Sequence, residues 1–154
     1  MKIGIISDTH CYNPDRCQIP QWIKNAFDGV ELIIHAGDIE HSQYITNLEC
    51  IAPVYAVRGN CDPYDSKNPV SRSINIGCGL LTVAHRPGDA ERALELNSKV
   101  MVYGHTHVAT ITEEDELLII NPGSASLPRS GMPPSVAVLD TADDKLTARL
   151  IFQN

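Results

Sequence analysis

An α/β fold of two stacked sheets is what this sequence predicts, on three observations. Strand-type and helix-type patterns alternate through the first third of the chain. From Arg72 onward, strand patterns follow one another with little helix between them. The residues able to bind metal or phosphate fall just past strand ends, where parallel sheets open their binding crevice.

The elements follow in order. Lys2–Ser7 is a short apolar run that ends in polar residues. Pro20–Phe27 places Trp22, Ile23, Ala26 and Phe27 on one helical stripe, with Pro20 suited to a first turn. Leu32–Ala36 reads as a buried strand, and Ser42 as the cap of a helix carrying Tyr44, Ile45 and Leu48. Val54–Val57 is the third strand. This β-α-β-α-β order argues for a parallel sheet flanked by helices. Arg72–Ile76 and Leu80–Ala84 flank Gly77-Cys78-Gly79, a hairpin signal. Asp89–Asn97 carries a helical pattern and Val100–Tyr103 a strand. Four more strands are expected at Thr110–Glu113, Leu117–Asn121, Val136–Asp140 and Leu146–Phe152. The whole is expected to be one domain, residues 1–154, parallel at one end of the sequence and antiparallel at the other.

Composition narrows the function classes. A hydrophobic fraction of 43% and a charged fraction of 20% are ordinary for a soluble globular chain. No apolar run approaches the ~20 residues a membrane helix needs. The segment Met1–Asp8 reads as a strand, not a targeting segment, so a cytoplasmic location is expected. Five cysteines, an odd number with no CxxC pair, are expected to be free thiols. A formal net charge of −7 repels polyanions, so neither generic nucleic acid nor a membrane is an expected partner. Local cations can still hold a small phosphate ester, and a homo-oligomer is compatible with the sequence.

The chemistry lies in the loops after the strands. The first strand runs into Asp8-Thr9-His10, the second into Gly37-Asp38, the third into Gly59-Asn60-Cys61-Asp62. A later strand ends in His85, and another runs into Gly104-His105-Thr106-His107. Asp8, His10, Asp38, Asn60, His85, His105 and His107 together supply carboxylates, imidazoles and one amide oxygen. That mixture suits Mn, Fe, Zn or Ni better than Mg or Ca. It exceeds what one mononuclear site needs, but fits two divalent metal ions sharing a carboxylate, with Asp38 the natural bridge. Two ions ~3.5–4 Å apart can hold a hydroxide between them and clamp phosphoryl oxygens during in-line displacement.

These segments, in this order, resemble the calcineurin-like metallophosphoesterase superfamily: DxH, GD, GN, a single His, then GHxH. The match is closest to its small bacterial and archaeal phosphodiesterases, and includes Asn121-Pro122-Gly123-Ser124. The resemblance implies a four-layer α/β/β/α sandwich, the metallo-dependent phosphatase fold. It implies Asp8, His10, Asp38 and His107 around one metal, and Asp38, Asn60, His85 and His105 around the other, with manganese the leading cofactor. Asn60, His105 and Asp38 are the residues it implies for the catalytic step, in which a metal-bridging hydroxide attacks a phosphate diester. A rival reading is a non-catalytic, protein-binding scaffold of the same fold, like the retromer subunit. The complete donor set weighs against that rival, because fully placed histidines without metal would bury polar groups at a cost.

Two positions depart from the wider pattern. Many larger relatives carry a histidine where this chain has Cys61. A thiol with an ordinary pKa near ~8.5 is a poorer proton donor than imidazolium, which favours diesters with good leaving groups. After His85 the small diesterases usually read Gly-His; here Arg86-Pro87 follows, and Arg86 either meets a phosphate or caps a solvated loop. Among the remaining residues, His35 reads as a buried, hydrogen-bonded core histidine, and His41 as a cap or surface group. Asp62 is expected to orient Cys61 or Asn60. Arg58 and Arg129 are expected in surface salt bridges, with contact to a phosphate as the alternative, and Asn121–Ser124 in a turn beneath the site.

Overall fold

The first strand, β1 (Lys2–Ile6), divides its apolar side chains between two cores and so sets the layering. Ile3 and Ile5 pack with Leu32, Ile34, Leu81, Val83, Val100, Val102, Ile120, Ala137 and Leu139 in a core between two sheets. Ile6 faces the other way, into a core with Ile23, Phe27, Ile33, Leu48, Val136 and Val138. Opposite faces receive alternate residues because the side-chain period of a strand is two.

The computed structural model describes residues 1–142 and 145–154. After β1 come α1 (Gln21–Ala26), β2 (Leu32–His35), α2 (Ser42–Glu49), β3 (Val54–Ala56), β4 (Ser71–Asn75) and β5 (Leu80–Ala84). They are followed by α3 (Pro87–Arg92), β6 (Ser98–Val102), β7 (Thr110–Glu114), β8 (Leu117–Asn121), β9 (Ser135–Asp140) and β10 (Thr147–Phe152). The strands form two five-stranded sheets, ordered β10-β9-β1-β2-β3 and β4-β5-β6-β8-β7. Helices α1 and α2 cover the outer face of the first sheet, where Ile23, Phe27 and Leu48 are buried. Helix α3 covers the second, where Ala90 packs with Ala84 and Met101. The result is the four-layer α/β/β/α sandwich that the sequence implies.

Strands β1, β2 and β3 run parallel, as do β5, β6 and β8. The loops that follow β1, β2 and β3 therefore leave the first sheet at one end. Those after β5 and β6 leave the second sheet together in the same way.

Several expectations need correction. The sequence does not divide into a parallel and an antiparallel end: β9 returns to the first sheet and pairs antiparallel with β1, Ile5 opposite Ala137. Both sheets are mixed: β9, apolar on both faces, sits inside the first antiparallel to its neighbours, and β4 and β7 run antiparallel to theirs in the second. The helix expected over Asp89–Asn97 stops at Arg92. Ser98 must start β6, so the chain reverses beforehand, with the Glu95 N–H donating to the Ser98 hydroxyl at 2.9 Å and Leu96 left exposed. His41, not Ser42, caps α2: its Nδ1 accepts from the Gln43 N–H at 3.1 Å. The cysteines are not all free. Cys11 and Cys17 form a disulfide, their Cα atoms 5.6 Å apart, because a 3-10 turn over Pro14–Arg16, capped by Asn13, folds the segment back on itself. Cys50, Cys61 and Cys78 are free thiols. Among the described residues no helix is long and apolar enough to cross a membrane.

Candidate metal centre

Three tripeptides at the strand ends share an unusual backbone. Asp8 and His10 after β1, Asp38 and Glu40 after β2, and His105 and His107 after β6 all have positive φ, from 46° to 70°. Left-handed backbone at a non-glycine residue is uncommon, and it persists only where the surroundings enforce it. Here it turns both flanking side chains of each tripeptide toward one place. The first two loops lie side by side: the Asp8 N–H donates to the Gly37 carbonyl at 3.0 Å, and His10 N–H to the Asp38 carbonyl at 3.1 Å.

Two glycines let the loops approach this closely. A Cβ on Gly59 would collide with the Asp38 backbone nitrogen and carboxylate, and one on Gly104 with Ser7 Oγ and Asp8 Oδ2. From below, the Asn121–Ser124 turn supports the loops, as expected. Asn121 is fully buried and its amide donates to the Gly104 carbonyl at 3.1 Å and Thr106 Oγ1 at 2.8 Å. The Ser124 hydroxyl donates to the Asp8 carbonyl at 2.7 Å. Replacing Asn121 with alanine leaves these groups unpaired and is expected to cost about 2 kcal/mol of stability. An unchanged urea midpoint would show that the loops hold their shape unaided.

The side chains form three overlapping clusters: Asp8 with His10 and His107, Asp8 with Asp38 and His85, and His10 with Glu40 and Cys61. Asp38 Oδ2 lies 3.3 Å from His85 Nε2 and 3.9 Å from His10 Nε2, so it stands between them. Asp8 Oδ1 lies 3.2 Å from His107 Nε2. Asn60 joins through its carbonyl oxygen, 3.1 Å from His85 Nε2. His105 joins through its ring, which packs edge-on against His85 at 5.2 Å, and its N–H donates to Asp8 Oδ2. All seven residues singled out in the sequence thus sit at one end of the sandwich. Asp8 belongs to two of these clusters, a sharing that the sequence assigned to Asp38 alone.

Hydrogen bonding decides what this end can bind. His10 Nδ1–H donates to Glu40 at 2.6 Å, and His107 Nδ1–H to the Leu127 carbonyl at 2.5 Å. In the neutral rings both Nε2 atoms then carry lone pairs, and they face each other 3.4 Å apart. His85 Nδ1–H likewise donates to the Ala36 carbonyl at 2.8 Å, so its Nε2, facing the oxygens of Asn60 and Asp38, carries a lone pair when the ring is neutral and a proton when it is not. Asp8 Oδ1 is buried with no hydrogen-bond donor. Lone pairs converging without donors repel one another unless a cation lies among them, so the residues fit divalent metal.

The titration shifts tell the same story. Burial pushes the Asp8 carboxyl up, disfavouring its bare charge. Burial works against ionisation of Asp38 as well, but the hydrogen bonds from His85 and the Cys61 N–H outweigh it and hold the group below the ordinary carboxylate range. Burial would lower His85, yet its hydrogen bond to Asp38 and the nearby carboxylates raise it, so a proton stands where a cation would. His105 is lowered, by burial first and then by the positive charge of His85 and Arg86.

His35 is a core residue, as expected. Fully buried, it donates from Nε2 to Thr9 Oγ1 at 3.0 Å and accepts at Nδ1 from the Gly37 N–H at 3.2 Å. Asp62 does something other than orient Cys61 or Asn60. Its Oδ1 accepts from Ile39 and Glu40 N–H, both at 2.7 Å, and its Oδ2 from Gly59 N–H at 2.7 Å and Asp38 N–H at 3.1 Å. Four converging amides explain the choice, since an anion is better stabilised there than beside a thiol. Arg58 and Arg129 form no salt bridge among the described residues, and Arg58 donates to the Tyr64 carbonyl instead. Arg86 is exposed and caps α3 with its backbone alone. Glu40 is the residue that sequence reasoning missed. Its signal was spacing: an acid two residues after Asp38, as His10 follows Asp8 and His107 follows His105.

Comparison with known proteins joins this geometry to a family. The family model of the calcineurin-like phosphoesterase superfamily domain matches residues 1–144. The chain belongs to the calcineurin-like phosphoesterase superfamily. It is 41% identical to a probable metallophosphoesterase of Methanothermobacter thermautotrophicus, over 98% of this chain and 92% of that protein. The solved structure of an archaeal phosphodiesterase superposes with a TM-score of 0.76 at 28% identity, covering 98% of this chain and all of that one. A Vps29 protein of Entamoeba histolytica, crystallised with zinc, superposes at 0.74 with 19% identity over 99% of both chains, a likeness of fold alone. Metal-dependent phosphoester hydrolysis is accordingly the activity of this superfamily member.

Proposed function

We propose that the chain hydrolyses a small phosphate diester with two divalent cations, manganese first among them and nickel, iron or zinc as alternatives. Asp8, His10, Asp38 and His107 would hold one cation, and Asp38, Asn60, His85 and His105 the other. The observation that supports this most is the opposed pair of imidazole nitrogens, His10 and His107 Nε2, 3.4 Å apart and both directed by their Nδ1 bonds. Asp38, reaching toward His10 and His85 alike, supports a shared carboxylate.

When bound, such cations supply Lewis-acid charge to the phosphoryl oxygens and lower the pKa of a water. The chain's own groups determine what they act on. Cys61, the residue after Asn60, is pushed up to about 11 by burial and by the negative charge of Asp38 and Glu40. In the metal-free fold this thiol is a poorer proton donor than an imidazolium, so it is ill suited to protonate a poor leaving group. Diesters whose leaving group departs unprotonated suit that site best. The net charge of −7 favours a small substrate over a long polyanion. The scaffold reading has the fold in its favour, and a fold alone does not fix function; since a Vps29 protein also binds zinc, turnover and not metal separates the two readings.

A turnover screen tests this directly. Metal-stripped protein given Mn, Ni, Mg or Zn is expected to cleave bis(4-nitrophenyl) phosphate fastest with Mn or Ni and slowest with Mg. Cleavage of an alkyl monoester as fast as the aryl diester would overturn the diester assignment. Turnover that persists in stripped protein with chelator would overturn the metal centre.

A further inference from the structure

Among the described residues, His10 is the one candidate ligand whose outer ring nitrogen meets a carboxylate. His85 and His107 donate to backbone carbonyls instead. We infer that Glu40 is a positioning residue: its carboxylate, seated by Asp62, fixes the tautomer and aim of His10, and thereby the affinity of the cation that His10 shares with Asp8 and His107. The inference rests on the metal-centre reading above.

The geometry is specific. Glu40 Oε1 accepts from His10 Nδ1–H at 2.6 Å, with the Glu40 side chain 24% exposed and the His10 side chain 12% exposed. A neutral imidazole has two tautomers, and a carboxylate on Nδ1 selects the one whose lone pair lies on Nε2. That lone pair points toward His107 Nε2 and Asp38 Oδ2. A carboxylate partner also makes the ring a stronger donor than a carbonyl partner does.

Glu40 is not placed there by an ordinary backbone. Its φ of 70° is left-handed, and its N–H is held at 2.7 Å by Asp62 Oδ1. Asp62 also accepts from Asp38 N–H, so one carboxylate clamps both ends of the Asp38-Ile39-Glu40 tripeptide. A solvent-facing glutamate needs no such clamp. Because His85 takes its orientation from the Ala36 carbonyl, only the half of the centre that contains His10 should depend on Glu40.

Mn²⁺ titration of metal-stripped protein by calorimetry, with elemental analysis of the loaded forms, tests the inference without reading turnover. Wild type is expected to bind two ions. Glu40→Ala should keep one at wild-type affinity and bind the other about 10–100-fold more weakly. Alanine bears the same left-handed strain as glutamate, so the change isolates the carboxylate. Glu40→Gln should recover part of the loss, since its amide oxygen accepts the same Nδ1–H. Asp62→Asn should weaken both ions, because it releases Asp38 as well. Unchanged affinities in Glu40→Ala would overturn the inference and leave the centre standing. So would equal weakening of both ions in that variant, which is the signature of a merely structural role. Wild type that binds no Mn²⁺ would overturn the centre and this inference together.

Discussion

Asp38→Ala is expected to lose both metal ions and to lower kcat at least a thousandfold, a barrier change of about 4 kcal/mol. The reason is position. The Asp38 carboxylate lies between the His10 and His85 nitrogens, and its Oδ1 also accepts the Cys61 N–H at 2.8 Å. Removing it takes the shared anion from both halves of the centre and frees the loop that carries Asn60 and Cys61. Three imidazole nitrogens would then face one another with less negative charge to hold a cation among them. Asp38→Asn separates the two roles. Its amide oxygen can still accept the Cys61 N–H, so folding should be kept, while the missing charge should still empty the site. Elemental analysis of both variants decides the matter, and two metals retained by Asp38→Ala would refute the sharing of this carboxylate.

The strand ends were legible in the sequence because local rules write them. The strands stop at Ile6, His35, Ala56, Ala84 and Val102, and polar residues follow each of them toward the crevice. Glycine beside an acid or histidine marks where two loops approach, and Gly59 and Gly104 do so. The two stacked sheets were legible from the order of strand and helix patterns, and the four layers from the family resemblance. Long-range choices were not. Nothing local says that β9 lies beside β1, because strand order depends on which edges meet after both sheets form. The Cys11–Cys17 disulfide depends on a turn that brings separated residues together, which a count of cysteines does not reveal. Glu40 was hidden by its residue type. An acid after a strand usually faces water, and only the left-handed turn and the Asp62 clamp aim it inward.

The stability of the protein should fall with acid through His35, a residue no reaction uses. Burial, first of all, and the neighbouring His85 and His10 lower its pKa from the usual 6.5 to about 4, despite the opposing charges of Asp62 and Asp38. Its Nδ1 already accepts the Gly37 N–H, so protonation would set a donor against a donor. The sign follows from linkage. A histidine whose pKa is lower when folded binds its proton first in the unfolded chain. Its contribution to stability is complete above pH 6.5, declines as pH falls toward 4, and is exhausted below that. The gap between the two values corresponds to about 3 kcal/mol. Other groups titrate in the same range, and His85 works in the opposite direction because its pKa is raised on folding. The informative quantity is therefore the stability difference between wild type and His35→Gln, measured by urea unfolding of metal-stripped protein at several pH values. Glutamine stays neutral, so the titrations of groups that do not interact with His35 cancel in the difference. That difference should move by about 3 kcal/mol in favour of the variant between pH 7 and pH 4. A difference that stays flat would mean that His35 accepts a proton in the fold as readily as out of it, and that the wall beneath the metal centre admits water.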